Sequence, residues 1–180
     1  RFKKVRDDGI KLVILELNTP GGALMSTLEI CDAIKKFRDD GYSIYAWVNN
    51  KAYSAGTIIA LATDGITMSG NATIGDCQPI LFTGTGVEAV PGGIQAKLTS
   101  PLEAELRDSA RRNGYNLDMV LSLVWPEIQI FWIVNTETGE KRFVDTRERD
   151  HLFKLPEIES EQNKPAETSK NDPKVLHRRA

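Results

Sequence analysis

The sequence predicts an α/β domain of parallel βαβ units, followed by a β-hairpin and a polar tail. Three observations predict it. Short apolar runs of strand length alternate with segments of helical spacing in the order strand, helix, strand, helix, strand, which argues for parallel strands joined by right-handed crossovers. A Gly-bearing turn follows a strand end at two places, near Gly21-Gly22 and near Ser54, and ligands in such sheets bind at the carboxyl ends of the strands. The 180 residues are 41% apolar and 27% charged, with a net charge of −2, values suited to one globular core and not to a disordered or fibrous chain.

Taken in order, residues 2–9 read as the end of a helix closed by Gly9. Residues 10–17 (Ile-Lys-Leu-Val-Ile-Leu-Glu-Leu) are a short apolar run, the signature of a strand buried on both faces. Asn18-Thr19-Pro20-Gly21-Gly22 breaks it. Leu24, Leu28, Ile30, Ile34 and Phe37 then recur at helical spacing, and Gly41 ends that helix. Residues 43–48 form the next strand and Asn49-Asn50-Lys51 the next turn. A small-residue helix follows over 54–63, then a third short strand at 66–68 and a turn into Thr73-Ile74-Gly75. Several glycines mark 82–93 as a mobile loop. A long helix is expected from Ala96 or Thr99 to Arg112, with Pro101 tolerated in its first turn. Asn116 is placed to cap a short helix reaching Val124. Residues 128–135 and 141–145 flank a Gly-containing loop and read as a hairpin. These elements divide the chain into a core at 1–125, a hairpin extension at 126–153 and a polar linker or disordered tail at 154–180, where apolar residues become scarce.

Composition narrows the function. There is no basic excess to ask for a nucleic-acid partner. Two cysteines are too few for a disulfide framework, and Cys31, inside a helical pattern, reads as a small buried residue. With two histidines late in the chain, His151 and His177, no zinc-ligand spacing is present and no cofactor is implied. No apolar run is long enough to span a bilayer and no signal peptide is seen. The chain starts at Arg1 in what reads as the middle of a helix, so it looks incomplete.

Three places could carry chemistry. In Pro20-Gly21-Gly22 the proline stiffens the turn and the glycines expose backbone N–H groups, which could hold an anion or a developing oxyanion. In Tyr53-Ser54-Ala55-Gly56 a serine opens a helix with small neighbours that admit a substrate backbone. A serine nucleophile needs a base, and the histidines fall in or beside the hairpin and tail. A desolvated lysine is the other option, and Lys97 follows the Gly-rich segment. Each also has a plain reading: an ordinary turn, an N-cap serine, a solvated lysine. The residues by themselves do not choose the base.

Three blocks together resemble a known family. Leu15-Glu16-Leu17-Asn18-Thr19-Pro20-Gly21-Gly22, then Ser54-Ala55-Gly56-Thr57-Ile58-Ile59-Ala60-Leu61-Ala62, then Thr73-Ile74-Gly75 are similar in order and spacing to the NfeD-type membrane-bound serine proteases, ClpP-class enzymes associated with stomatin-like membrane proteins. The similarity runs from about Gly9 to Asp145. It implies a ClpP/crotonase-like fold and a serine endopeptidase with Ser54 as nucleophile and Lys97 as base. The oxyanion donors would be the N–H groups of Gly22 and Ala55, and Gly21, Tyr53 and Gly56 would line the substrate. ClpP itself carries a histidine before a Gln-Pro pair; here Cys77 precedes Gln78-Pro79, which favours the lysine version.

The resemblance further implies a peptide or protein substrate of apolar character, a stomatin-like partner, homo-oligomers, and an extracytoplasmic catalytic domain tethered to a membrane. Against the family pattern the chain lacks the first strand, the secretion signal, the later membrane spans and the small C-terminal β-barrel. Two other functions suit the same residues: a crotonase-like acyl-CoA enzyme using the two N–H groups without a nucleophile, and an inactive protease-like scaffold.

Overall fold

A computed structural model describes the backbone of residues 2–83, 86–89 and 92–153, and side chains over 3–80 and 99–153. The expected tail at 154–180 lies outside the described residues.

Helix α1 (Phe2–Asp7) leads into β1 (Leu12–Thr19), α2 (Leu24–Asp39), β2 (Ser43–Tyr53), α3 (Ala55–Leu61), β3 (Gly65–Met68) and β4 (Thr73–Gly75). The strands form one parallel sheet in the order β1-β2-β3, with β4 pairing the far end of β2. The alternation of strands and helices therefore has the parallel outcome that the sequence order predicts.

The core lies on one side of this sheet. Ile44, Ala46 and Val48 of β2 point into it, where Cys31, Ile34 and Phe37 of α2 and Ile58 and Leu61 of α3 meet them. Period-2 alternation in β2 and 3.6-residue spacing in α2 put these apolar atoms on one face each, and Cys31 is a buried core residue as expected. The opposite face corrects the reading of β1. That strand alternates between exposed and half-buried positions, with Leu12 55% and Ile14 63% exposed beside Tyr45 and Trp47. It is an edge strand covered on one face only, because the packed helices lie on the core side. A continuous apolar run does not distinguish one covered face from two.

Four further local expectations are corrected. Asn49-Asn50-Lys51 is not a turn: β2 continues to Tyr53, and the polar residues fall where the β1–β2 register shifts between Leu17 and Thr19. Pairing with β4 at Lys51, Ala52 and Tyr53 carries the strand onward. Thr73-Ile74-Gly75 is accordingly a strand. The segment read as a mobile loop holds an antiparallel pair, β5 (Ile80–Thr83) and β6 (Gly86–Ala89). Phe82 pairs with Val87, so residues suited to a strand decide there and Gly86 takes a pairing position opposite Thr83. Helix α4 (Gly92–Asn113) starts earlier than expected, so Pro101 sits inside it, not in its first turn. Pro101 has no N–H for the carbonyl four residues back, that of Lys97.

Helix α4 is anchored firmly from Thr99 onward. Leu102, Leu106 and Ala110 enter the core. Lys35 of α2, 6% exposed, pairs with Glu105 at 2.7 Å and Asp108 at 2.8 Å. Asn113 donates to the carbonyls of Leu61 and Thr63 at the end of α3, and Arg38 joins Asp64, the Ala62 carbonyl and the Asn113 side chain.

Helix α5 (Leu117–Leu121) is capped by Asn116, whose side chain accepts from the Met119 N–H as its position predicts. The expected hairpin is β7 (Ile130–Val134) and β8 (Lys141–Asp145). A helix not foreseen, α6 (Thr146–Phe153), follows it, with the Asp145 carboxylate accepting from the Glu148 N–H.

Candidate active site

The site assembles where β1 and β2 end. After Thr19 the chain turns through Pro20-Gly21-Gly22 before α2. The Thr19 hydroxyl accepts from the Gly21 N–H at 3.2 Å and lies 3.3 Å from the Gly21 carbonyl, so a side chain of β1 shapes the turn. Gly21 has φ +124°, and a Cβ there would stand 2.9 Å from Ser54 Cβ and 3.3 Å from Ser54 Oγ. The turn is therefore pressed against Ser54, which only glycine permits.

Ser54 follows the last residue of β2 and precedes α3. Its backbone has φ 49° and ψ −116°, a conformation that favours glycine, and its side chain makes no capping hydrogen bond. The plain N-cap reading is thus not what the hydroxyl does. The strained turn is held by the main chain. The Ser54 N–H donates to the Gly75 carbonyl at 2.8 Å, and the Ser54 carbonyl accepts from Ile58 N–H. The side chain is half-buried.

The small residues around it have visible reasons. A Cβ on Gly56 would meet Thr19 Cγ2 at 2.6 Å and Ala52 Cβ at 3.2 Å, so α3 can approach the end of β1 only with glycine there. A Cβ on Gly22 would lie 3.8 Å from Ala55 Cβ. Gly21 and Gly22 thus stand beside Ser54 and Ala55, and Gly56 beside Thr19, although these partners are more than 30 positions apart in sequence. Tyr53 is half-buried, with its phenol oxygen accepting from the Thr73 hydroxyl at 2.7 Å. Lys97 lies within α4, and its side chain is outside the described residues.

Sequence reasoning missed the groups that brace this turn: Thr19, Thr57 and Gly75. Their signal was that all three lie within the blocks that carry the family resemblance, where they are given no role.

Neither cysteine competes as a nucleophile. Cys77, buried behind the turn with its Sγ 3.7 Å from the Ser54 carbonyl, has its thiol pushed up to about 11 by burial. Cys31 is raised by the same cause. Both remain thiols near neutral pH. Among the described residues no group of His, Cys, Asp and Glu could hold a metal ion, and no helix is long and apolar enough to cross a membrane.

Comparison with known proteins identifies the family and the fold. Residues 1–144 match the family model for the N-terminal domain of NfeD1b. The chain is 30% identical over 116 residues to the membrane protein NfeD1b of Bacillus subtilis, covering 64% of this chain and 24% of that protein. It is 30% identical over 127 residues to the membrane-bound protease PH1510 of Pyrococcus horikoshii, covering 68% and 27%. The chain thus spans about a quarter of the length of these relatives. Among solved structures, a lysine-to-alanine mutant of the 1510-N membrane-bound stomatin-specific protease, in complex with a substrate peptide, superposes with a TM-score of 0.59 at 24% identity. That match covers 83% of this chain and 61% of the other. A serine-to-alanine mutant of the same protease gives 0.58 at 23% identity, covering 83% and 64%. These superpositions show a common α/β fold with a parallel sheet.

Proposed function

The chain belongs to the NfeD1b N-terminal domain family, and on that premise we propose that it is the catalytic core of a membrane-associated serine endopeptidase of ClpP/crotonase-like architecture. The observation that carries the reading is Ser54. A non-glycine residue at φ 49° and ψ −116°, packed on a glycine that admits no side chain, stores strain that an ordinary cap would not need.

In the proposed reaction a neutral Lys97 amine accepts the Ser54 hydroxyl proton while Oγ attacks a peptide carbonyl. The Gly22 and Ala55 N–H groups receive the developing oxyanion. The amine leaving group takes the proton back as the C–N bond breaks, leaving an acyl-serine. Water, deprotonated by the same lysine, hydrolyses the ester and restores Ser54. Each oxyanion donor would contribute about 10²–10³ in rate. The lysine must be neutral at the working pH, which burial can bring about, so activity should rise with pH through its titration. Gly21, Tyr53 and Gly56 would border the substrate. Proximity of Gly21 and Gly22 to Ser54 and Ala55 supports this assignment.

The 1510-N protease is stomatin-specific and has been seen with a substrate peptide; for this chain we extend that to a peptide segment of a stomatin-like protein, apolar in character, with homo-oligomeric assembly and an extracytoplasmic site. The test is hydrolysis of an apolar peptide library by the full-length protein and its Ser54→Ala and Lys97→Ala variants. Cleavage by the wild type and by neither variant is the expected result. Cleavage that survives Ser54→Ala overturns the nucleophile, and retained acyl-CoA turnover in that variant would point to the crotonase-like reading. No cleavage by any of the three would favour the scaffold.

A further inference from the structure

A strained serine has to be held against relaxation, and the groups that hold Ser54 can be followed inward. Its N–H donates to the Gly75 carbonyl at the end of β4. Gly75, at φ +137°, is in a conformation open to glycine. Its own N–H donates to the Thr57 hydroxyl at 2.8 Å. That hydroxyl lies 2.6 Å from the Ala52 carbonyl and 2.9 Å from the Gly75 carbonyl. Thr57 is 0% exposed.

A hydroxyl has one proton to donate and two lone pairs. Giving the proton to the nearer acceptor, Ala52, and accepting from Gly75, Thr57 ties the end of β2 to the end of β4. Ser54 is the residue these two strand ends enclose. The Gly75 carbonyl is left oriented toward the Ser54 N–H. The Ala52 carbonyl and the Gly75 N–H thus both pair with one buried side-chain oxygen, and each would be costly to leave unpaired.

We propose that Thr57 is a positioning residue for the nucleophile: its hydroxyl, acting through the Gly75 peptide, keeps Ser54 in its strained conformation and so sets the acylation rate without touching substrate. The role rests on the peptidase reading for its kinetic consequence, but not for its structural one. A misplacement of about 1 Å at a reacting atom costs about 10²-fold in rate. Loss of the hydroxyl should therefore lower kcat by roughly that factor and leave KM nearly unchanged.

The test compares Thr57→Val, which keeps the shape and removes the hydroxyl, with Thr57→Ser, which keeps the hydroxyl and removes a methyl group, in the full-length protein. Peptide hydrolysis is read as kcat and KM. The rate of covalent labelling by a fluorophosphonate probe is read at Ser54, and hydrogen exchange at the Ser54 amide. The expected result is a loss of about 10²-fold in kcat and labelling for Thr57→Val, faster exchange of the Ser54 amide, and recovery of all three in Thr57→Ser. Equal losses in both variants, or a loss carried by KM, would overturn the proposal, because a packing role predicts no rescue by serine. So would unchanged exchange at Ser54 in Thr57→Val. Exchange does not depend on turnover. If Ser54→Ala retains full cleavage while Thr57→Val still loosens the Ser54 amide, the assignment of Ser54 as nucleophile fails and the structural role of Thr57 in holding that residue stands.

Discussion

Replacing Ser54 with glycine should stabilise the protein while abolishing its activity. A non-glycine residue at φ 49° and ψ −116° carries about 1–3 kcal/mol of backbone strain. Glycine removes that strain but has more freedom to lose on folding, about 0.5–1 kcal/mol. No capping bond is lost, because the Ser54 side chain makes none. The net expectation is about 0.5–2 kcal/mol in favour of Ser54→Gly over Ser54→Ala, both lacking the hydroxyl. For a domain of this size that is a rise of roughly 1–8 °C in Tm. The assay is thermal unfolding of the purified full-length protein, following the transition assigned to this domain, beside peptide hydrolysis by the same samples. If Ser54→Gly melts no higher than Ser54→Ala, the backbone is not strained there and the main support for a nucleophile is withdrawn.

Gly21→Ala should lose activity and about 1–3 kcal/mol of stability, since its Cβ would sit 2.9 Å from Ser54 Cβ at a positive φ; urea unfolding and the hydrolysis assay check both. Lys35→Ala should cost about 3–5 kcal/mol, because Glu105 and Asp108 would face one another with their shared cation gone, which urea unfolding also measures. The Lys35 hydrogen bond holds the Asp108 carboxyl well below the usual carboxylate range. A depressed folded value contributes stability above the ordinary carboxylate pKa of about 4 and loses it as pH falls below that. Asp108→Asn should therefore flatten the acid side of the stability profile, and a profile as steep as the wild type would refute the pairing. Cys31 and Cys77, both buried with raised thiol values, should resist alkylation at pH 8 in the native state and react on unfolding, as mass spectrometry of iodoacetamide-treated protein would show.

The elements that could be read locally were those whose periodicity and punctuation agree. Helix α2 has its apolar spacing and Gly41 behind it, and Asn116 caps α5 where its side chain suggests. The misread places are those where a tertiary partner overrides local chemistry. The polar Asn49–Lys51 stretch stays in β2 because β4 pairs alongside it. The glycines near 86 did not prevent pairing, since Phe82 and Val87 are backbone partners across the ladder.

For the site, sequence determined which residue types were available: glycines able to adopt positive φ, a serine among small neighbours and a lysine farther along. Those are properties of single residues and of short spacings, and the family resemblance rests on them. Only the tertiary structure brought Gly21 against Ser54, bent Ser54 into a strained turn and set Thr57 and Gly75 behind it. Strain and close approach are relations between chain segments distant in sequence, decided by how α3 packs on β1 and β4 pairs with β2. A linear string cannot carry them until the packed sheet and helices fix the distances.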